Sequence, residues 1–154
     1  MIKIGDKLPA AVLNNQDGAS IDFSEFIGKK LAVYFYPKDD TPGCTAQACS
    51  IRDHEALLLK QGIQVVGISA DTVISHKKFS TKHRLNFPLL SDSKKEVIQA
   101  FGVWGEKKFM GKTYDGIYRT SFLFNEEGTL IYIIEKPNTK NHSEEIIRFF
   151  NTTE

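Results

Sequence analysis

Two cysteines, Cys44 and Cys49, are the residues whose type and spacing point to chemistry in this sequence, because neighbouring thiols can be oxidised together. Cys44 follows Thr41, a residue type favoured at a helix N-cap, and Pro42, which suits the first helical position. We therefore expect Cys44 in the first turn of a helix, where free backbone N–H groups and the helix dipole stabilise a thiolate. Cys44 is then a candidate nucleophile. The alternative is a small buried apolar residue, which many free cysteines are.

The spacing of the two cysteines limits how they can react with each other. Five residues along an ideal helix correspond to a rotation of about 500° and a rise of about 7.5 Å, which separates the Cα atoms by roughly 8.5–9 Å. A disulfide tolerates a Cα separation of at most about 7 Å. Cys44 and Cys49 therefore either never pair, or pair only after the first turns of the helix unwind. We adopt the second alternative as a hypothesis, in which oxidation drives local unfolding between them.

Other chemistries fit the sequence less well. His54 extends the cysteines to a possible metal-ligand trio, but steps of five scatter side chains around a helix, and structural zinc sites favour closer spacing and four ligands. Gly111-Lys112-Thr113 is similar to the end of a P-loop, yet Glu106 stands where its first glycine should be. G-x-G-x-x-G does not occur, so there is no dinucleotide fingerprint, and C-x-x-C does not occur, so this is not the usual dithiol–disulfide oxidoreductase motif. We expect no cofactor and no metal. The histidines are otherwise expected at the surface or at a rim: His54, His76, His83 and His142.

Composition and charge indicate a globular protein and exclude several function classes. The chain has 154 residues, of which 41% are hydrophobic and 25% charged, a balance typical of one folded domain. Twenty basic residues against nineteen acidic ones leave a net charge of +1, so no broad basic face for nucleic acid is expected. The N-terminus lacks the pattern of a signal peptide, and the longest apolar stretch, residues 31–36, is too short to span a membrane. We expect a soluble, cytoplasmic protein whose thiols are reduced at rest.

The pattern of elements predicts an α/β fold with a mixed central sheet flanked by helices. Residues 10–23 and 120–135 have the pattern of β-hairpins, and residues 102–118 that of a glycine-rich loop. The predicted strands and helices alternate in the order strand 31–36, helix 42–61, strand 63–68, surface helix 71–84, strand 87–90, helix 94–101 and a last helix from about 141. The first two of these strands form a βαβ unit and should be parallel. Because sites in open α/β sheets form at the carboxyl ends of strands, we look for the site just after residue 36.

The segment after that strand resembles a known active-site motif. Pro37-x-x-x-Thr41-x-x-Cys44 resembles the active-site motif of peroxiredoxins, and residues 36–45, with Cys49 five residues later, resemble the bacterioferritin comigratory protein (peroxiredoxin Q) subfamily. Residues 102–112 and 116–123 are similar to later blocks of that subfamily, so the likeness extends over nearly the whole chain. The resemblance implies a thioredoxin-like fold with an N-terminal β-hairpin extension, as a single domain over residues 1–154.

The resemblance also implies an antioxidant thiol peroxidase that reduces hydrogen peroxide and organic hydroperoxides. Cys44 would be the peroxidatic cysteine and Cys49 the resolving cysteine, which together form an intramolecular disulfide. Pro37 would shield the nucleophile. The peroxide would meet several hydrogen-bond donors: the Thr41 hydroxyl, the backbone N–H groups of Gly43 and Cys44, and the Arg119 guanidinium. The implied reductant is thioredoxin, and the intramolecular pair implies a monomer.

Two other functions remain open at this point. The same cysteine pair could serve a non-enzymatic redox sensor that switches a helix and a partner surface, which turnover with a reductant would distinguish from a peroxidase. Alternatively, the chain could be a thioredoxin-like structural domain with inert thiols, in which Cys44→Ser would leave peroxide reactivity unchanged.

Overall fold

A computed structural model describes residues 2–152, in which seven strands form one mixed sheet and two further strands form a separate hairpin. The strands are β1 (Val12–Asn14), β2 (Ser20–Asp22), β3 (Lys30–Phe35), β4 (Ile63–Ser69), β5 (Leu89–Ser91), β6 (Trp104–Phe109), β7 (Lys112–Ile117), β8 (Thr120–Phe124) and β9 (Leu130–Glu135). The helices are α1 (Pro42–Asp53), α2 (Glu55–Lys60), α3 (Val73–His83), α4 (Glu96–Ala100) and α5 (His142–Thr152), and a 3₁₀ turn covers Phe23–Phe26. Residues 1, 153 and 154, which the predicted domain includes, lie outside the described residues.

The sheet confirms the predicted mixed topology. Its strand order is β2-β1-β5-β4-β3-β8-β9, with β3, β4 and β5 mutually parallel and the other pairs antiparallel. Strands β3 and β4 are parallel, and the chain that connects them forms α1 and α2, as the βαβ pattern predicts. Both predicted hairpins are present, β1–β2 near the N-terminus and β8–β9 after residue 119. No helix within residues 2–152 is long and apolar enough to cross a membrane.

The central strand β3 separates two buried layers, because successive side chains point to opposite faces of a sheet. Leu31, Val33 and Phe35 pack into one apolar cluster together with residues of α4. Ala32 and Tyr34, which point to the opposite face, pack into the other cluster with side chains of α1 and α5. Cys44 of α1 belongs to this second cluster. The candidate nucleophile therefore lies in the layer between the sheet and these two helices.

The predicted helix over residues 42–61 is interrupted at His54, which separates α1 from α2. In a continuous helix the backbone N–H of His54 would donate to the carbonyl of Ser50. Here the imidazole Nδ1 of His54 lies 2.9 Å from that carbonyl, while its backbone N–H turns to the carbonyl of Ile51. The His54 side chain thus takes the Ser50 carbonyl, which would accept the backbone N–H of His54 if the helix continued.

Residues 102–118 were expected to be loop-like, and this expectation is wrong. They contain the hairpin β6–β7, whose turn residues Met110 and Gly111 both have positive φ, 52° and 78°. Such a pair is typical of the tight turns that join two strands directly. The strands were hidden from sequence analysis because most of their side chains are exposed and polar, and because Gly105 and Gly116 face each other across the hairpin.

Candidate active site

The candidate nucleophile lies at the beginning of α1. Thr41 is the N-cap residue of this helix, Pro42 is its first residue and Cys44 its third, as the sequence predicts. The Thr41 side chain forms no capping hydrogen bond; its hydroxyl donates instead to the carbonyl of Lys38 at 2.9 Å. The hydroxyl therefore does not occupy the N–H groups of the first turn, which is the arrangement that lets a helix N-terminus bind an anion.

Arg119 lies against the sulfur of Cys44. It directly precedes β8, which pairs with β3, so the topology brings it to the end of β3 where α1 begins. Its Nη2 donates to Cys44 Sγ at 3.4 Å, and a Cβ added to Gly43 would lie only 3.2 Å from that same nitrogen. Glycine at position 43 thus leaves room for the guanidinium, whose permanent positive charge stabilises a thiolate beside it.

Gln47 orients the arginine and was missed by sequence analysis. It is fully buried on α1, and its Oε1 accepts a hydrogen bond of 2.7 Å from Arg119 Nη1. Its Nε2 has no hydrogen-bond partner among residues 2–152. A polar residue three positions after Cys44, on the helix face that buries Cys44, Ala48 and Ile51, is the signal that could have identified it.

Tyr34 is a second buried polar residue near the site that sequence analysis did not single out. Its hydroxyl has no hydrogen-bond partner in the described part of the chain. Burial raises its pKa well above 10, and negative charges on Cys44 and Asp39 act in the same direction. The phenol therefore stays neutral at physiological pH and can only offer a hydrogen bond, not a charge.

Cys49 shares α1 with Cys44, and both cysteines are free thiols. Cys44 is 1% exposed, whereas Cys49 is half-buried. Since α1 is continuous from Pro42 to Asp53, helix geometry keeps the two Cα atoms roughly 8.5–9 Å apart, beyond disulfide range. The folded helix therefore keeps the two thiols separate.

The remaining predicted site residues lie on the segment that connects β3 to α1. Pro37 is half-buried in a bend directly after β3, and Thr41 ends the segment. The structure thus brings Thr41, Gly43, Cys44 and Arg119 to one helix N-terminus. The shielding of the nucleophile by Pro37 and the contact of Thr41 with a peroxide stay predictions.

A cleft of about 610 Å³ opens beside Arg119. It is bordered by Tyr118, Thr120 and Lys107 among others, and Lys107 donates to the carbonyl of Ile117 at 3.0 Å. Burial, followed by the positive charge of Arg119, lowers the pKa of Lys107. Arg119, which contacts Cys44, lines this cleft, whereas Cys44 and Thr41 do not.

The histidines are not all at the surface, contrary to expectation. His76 and His142 are fully buried. His142 Nε2 lies 2.7 Å from the Ser121 hydroxyl and its Nδ1 3.0 Å from a Glu145 oxygen, and burial lowers its pKa. The polar sequence around His76 favours a surface helix, but distant residues supply its hydrogen-bond partners and allow it to be buried.

Potential metal ligands meet in one cluster of the described residues, outside the cysteines. Ligand atoms of Asp39, Asp71 and His76 lie within 4.8 Å of one another. They already satisfy one another and the backbone: His76 contacts Asp39 at 2.7 Å, and Asp71 accepts from the backbone N–H of Asp39 at 2.8 Å. The donor set fits an internal hydrogen-bond network better than an ion. His54, the third member of the conceivable cysteine–histidine trio, faces Ser50 and Ser143 instead.

Comparisons with known proteins agree on one family. A family model described as "AhpC/TSA family" matches residues 4–133. A Haemophilus influenzae protein named putative peroxiredoxin bcp is 48% identical over 151 residues, which cover 98% of this chain and 97% of that protein. Peroxiredoxin Bcp of Escherichia coli is 46% identical over 148 residues, 96% of this chain and 95% of the relative.

Solved structures give the same result for the fold. A cysteine mutant of Xylella fastidiosa PrxQ superposes with a TM-score of 0.92 at 28% identity, covering 99% of this chain and 97% of that one. Xanthomonas campestris bacterioferritin comigratory protein, studied for its alkyl peroxide reduction activity, superposes with a TM-score of 0.87 at 31% identity, covering 96% and 98%. These neighbours share the thioredoxin-like arrangement of sheet and helices predicted for this chain.

Proposed function

Since the chain belongs to the AhpC/TSA family of peroxiredoxins and is a thiol-dependent peroxidase, we propose that Cys44 is its peroxidatic cysteine and Cys49 its resolving cysteine. The observation that carries this assignment is the contact of Arg119 Nη2 with Cys44 Sγ at the N-terminus of α1. A permanent cation and a helix N-terminus both favour the thiolate that the first step requires.

In the first step the Cys44 thiolate attacks one oxygen of the peroxide. A sulfur–oxygen bond forms and the oxygen–oxygen bond breaks, so that sulfur is oxidised to a sulfenic acid. The other oxygen leaves as water or an alcohol after taking up a proton. Arg119 and the backbone N–H groups of Gly43 and Cys44 are the donors that stabilise the negative charge on the departing oxygen, and the Thr41 hydroxyl joins them by turning from the carbonyl of Lys38. Pro37 shields the sulfur from bulk water.

In the second step Cys49 resolves the sulfenic acid. Its sulfur bonds to the sulfur of Cys44, and the hydroxyl of the sulfenic acid leaves as water. Because the intact helix holds the cysteines too far apart, the first turns of α1 unwind before this bond forms. Unwinding also exposes the new disulfide to an external dithiol, which reduces it by exchange and is itself oxidised to a disulfide.

The substrates that we propose are hydrogen peroxide and organic hydroperoxides, and the reductant is thioredoxin or a similar dithiol protein. The cleft beside Arg119 has room for an organic group, and the related Xanthomonas protein was studied for alkyl peroxide reduction. We further propose that residues 1–154 form one domain that acts as a monomer, because both reacting cysteines belong to one chain. Free thiols that need a thiol reductant fit the reducing cytoplasm.

The experiment that tests this proposal counts thiols after the reduced protein meets one equivalent of hydrogen peroxide. We expect the wild-type chain to lose both thiols rapidly and to yield an intramolecular Cys44–Cys49 disulfide, identified by mass spectrometry. Cys49→Ser should oxidise at Cys44 without forming that disulfide, and Cys44→Ser should lose the rapid reaction. Thiol loss in the wild type no faster than in free cysteine would contradict the proposal.

Turnover then tests the reductant and separates an enzyme from a sensor. With thioredoxin, thioredoxin reductase and NADPH present, we expect continuous NADPH oxidation on addition of hydrogen peroxide or an alkyl hydroperoxide. One oxidation per chain, with no turnover under these conditions, would contradict thioredoxin as the reductant.

A further inference from the structure

The segment that carries Pro37 and Thr41 is attached to α3 through a buried histidine. His76 is fully buried, with Nδ1 2.7 Å from Asp39 Oδ2 and Nε2 3.1 Å from the carbonyl oxygen of Leu90. A carbonyl only accepts hydrogen bonds, and so does an ionised carboxylate. A ring that donates at both nitrogens satisfies both contacts, so the geometry fits a buried ion pair between an imidazolium and a carboxylate.

Asp39 is held from three further directions. The Tyr36 hydroxyl donates to its Oδ1 at 2.6 Å, and the Ser75 hydroxyl donates to its Oδ2 at 2.8 Å. Its own backbone N–H donates to Asp71 Oδ2 at 2.8 Å. Asp39 is 8% exposed, and these contacts tie it to the end of β3, to α3 and to the loop that precedes α3. Both its side chain and its backbone are therefore fixed.

Asp40, the residue after Asp39, is held in a strained backbone conformation. Asp40 has a φ of 60°, a left-handed conformation that costs free energy in a residue other than glycine. Its carboxylate contacts Lys82 Nζ at 2.7 Å and His83 Nε2 at 2.9 Å, both on α3. A strained conformation persists only where its surroundings enforce it. Here the consecutive residues Asp39 and Asp40 are both tied to α3.

We propose that His76 and Asp39 are positioning residues for the peroxide step, an inference that rests on the proposed role of Cys44. Asp39 lies between Pro37 and Thr41 on the segment that leads into α1, so fixing Asp39 on α3 restrains both of these residues. The pair does not touch the peroxide. It holds the Thr41 hydroxyl where this group can meet the reacting oxygens, and small displacements of such a donor slow the reaction strongly.

The test compares Asp39→Asn, His76→Gln and the double variant with the wild type. For each protein we measure the second-order rate constant for oxidation of Cys44 by hydrogen peroxide, at a temperature well below thermal unfolding. We also measure alkylation of Cys44 by iodoacetamide, which needs an accessible thiolate, and hence Arg119 and the start of α1, but not the Thr41 hydroxyl. The matched control is Asp92→Asn, because Asp92 is a buried aspartate, 1% exposed, that accepts from the backbone N–H of Ile98 near α4.

We expect each single variant to oxidise about 10- to 100-fold more slowly than the wild type while alkylation changes less than about twofold. The double variant should be no slower than the slower single variant, because it leaves no buried charge unpaired and its two amides can bond to each other. Ser75→Ala removes one bond to Asp39 without leaving a charge unpaired, and should give a smaller decrease if the other variants do not fold.

Oxidation within about twofold of the wild type in both single variants, or in Ser75→Ala alone where these do not fold, would overturn the positioning role while leaving the proposed function intact. An equal loss in Asp92→Asn, or parallel losses in oxidation and alkylation, would equally overturn it, because general destabilisation would then explain the effect. Slow oxidation of the wild type itself would instead contradict the proposed function.

Discussion

The helix that separates the two cysteines should control the rate at which they pair. The disulfide needs a Cα separation of at most about 7 Å, and an intact α1 imposes roughly 8.5–9 Å, so the helix must open between them. Ala46 lies on α1 between the cysteines and is half-buried. Replacing alanine by glycine inside a helix costs about 0.8–1.0 kcal/mol. That cost is removed in the unwound state, so Ala46→Gly should raise the population of this state about fourfold to fivefold.

The assay follows each step separately after a rapid pulse of peroxide. Samples are quenched with an alkylating agent, and mass spectrometry quantifies the sulfenic acid, the Cys44–Cys49 disulfide and the over-oxidised Cys44. In Ala46→Gly we expect disulfide formation to accelerate about fourfold to fivefold, the oxidation of Cys44 to be unchanged, and over-oxidation at high peroxide to decrease. The matched control is Ala56→Gly, the same exchange at an exposed position of the next helix, α2.

Two results would refute this reasoning. A disulfide rate unchanged in Ala46→Gly would mean that unwinding of α1 does not limit resolution. An equal acceleration in Ala56→Gly would mean that the effect arises from general loosening of the chain and not from the segment between the cysteines.

The other predictions concern the environment of Cys44 and the buried histidine. Arg119→Ala should slow the oxidation of Cys44 by about 10- to 100-fold with little change in thermal stability, because a charge-assisted donor is lost; unchanged kinetics would remove Arg119 from the site. Gln47→Ala should slow the same step less, by roughly tenfold, since Arg119 keeps its charge but loses the acceptor that orients it. Gly43→Ala should also slow oxidation, because the new Cβ would lie 3.2 Å from Arg119 Nη2, and a wild-type rate would show that the guanidinium adjusts freely. Burial lowers the pKa of His142, so folding favours its neutral form. The contribution of His142 to the free energy of unfolding is therefore complete above a pH of about 6.5, the ordinary histidine pKa, and decreases as the pH falls below that value. Urea unfolding from pH 7.5 to 5 should therefore show a smaller pH dependence in His142→Gln, and an unchanged slope would contradict that assignment.

The parts of the fold that sequence analysis predicted are those with a strong local signal. The apolar run at residues 31–36 indicated a buried strand, and the structure places β3 at Lys30–Phe35. Thr41 and Pro42 predicted the start of α1, and hence the helix position of Cys44. Arg119 was found only through the resemblance to peroxiredoxins, because nothing local relates it to a cysteine 75 positions away.

The parts that were missed depend on contacts between distant residues. His76 occupies a polar stretch that indicates a surface helix, and only Asp39, 37 positions earlier, explains why it is buried. The break at His54 depends on which group occupies the Ser50 carbonyl, which periodicity cannot show. Gln47 interrupts an apolar helix face, and such an interruption becomes informative only once its partner Arg119 is known.

The antiparallel pairing of β3 with β8 also has a consequence for the newly made chain. Residues opposite each other in this pair, such as Phe35 and Thr120, lie far apart in sequence, and contacts of this kind form slowly because a long loop must first be closed. Until β8 pairs with β3, Arg119 does not contact Cys44, and both thiols lack the positive charge that favours a thiolate. We therefore expect peroxide reactivity to appear with the completion of folding, so that the rate of Cys44 oxidation during refolding should report when the sheet closes. An unfinished chain should correspondingly be spared rapid oxidation at Cys44.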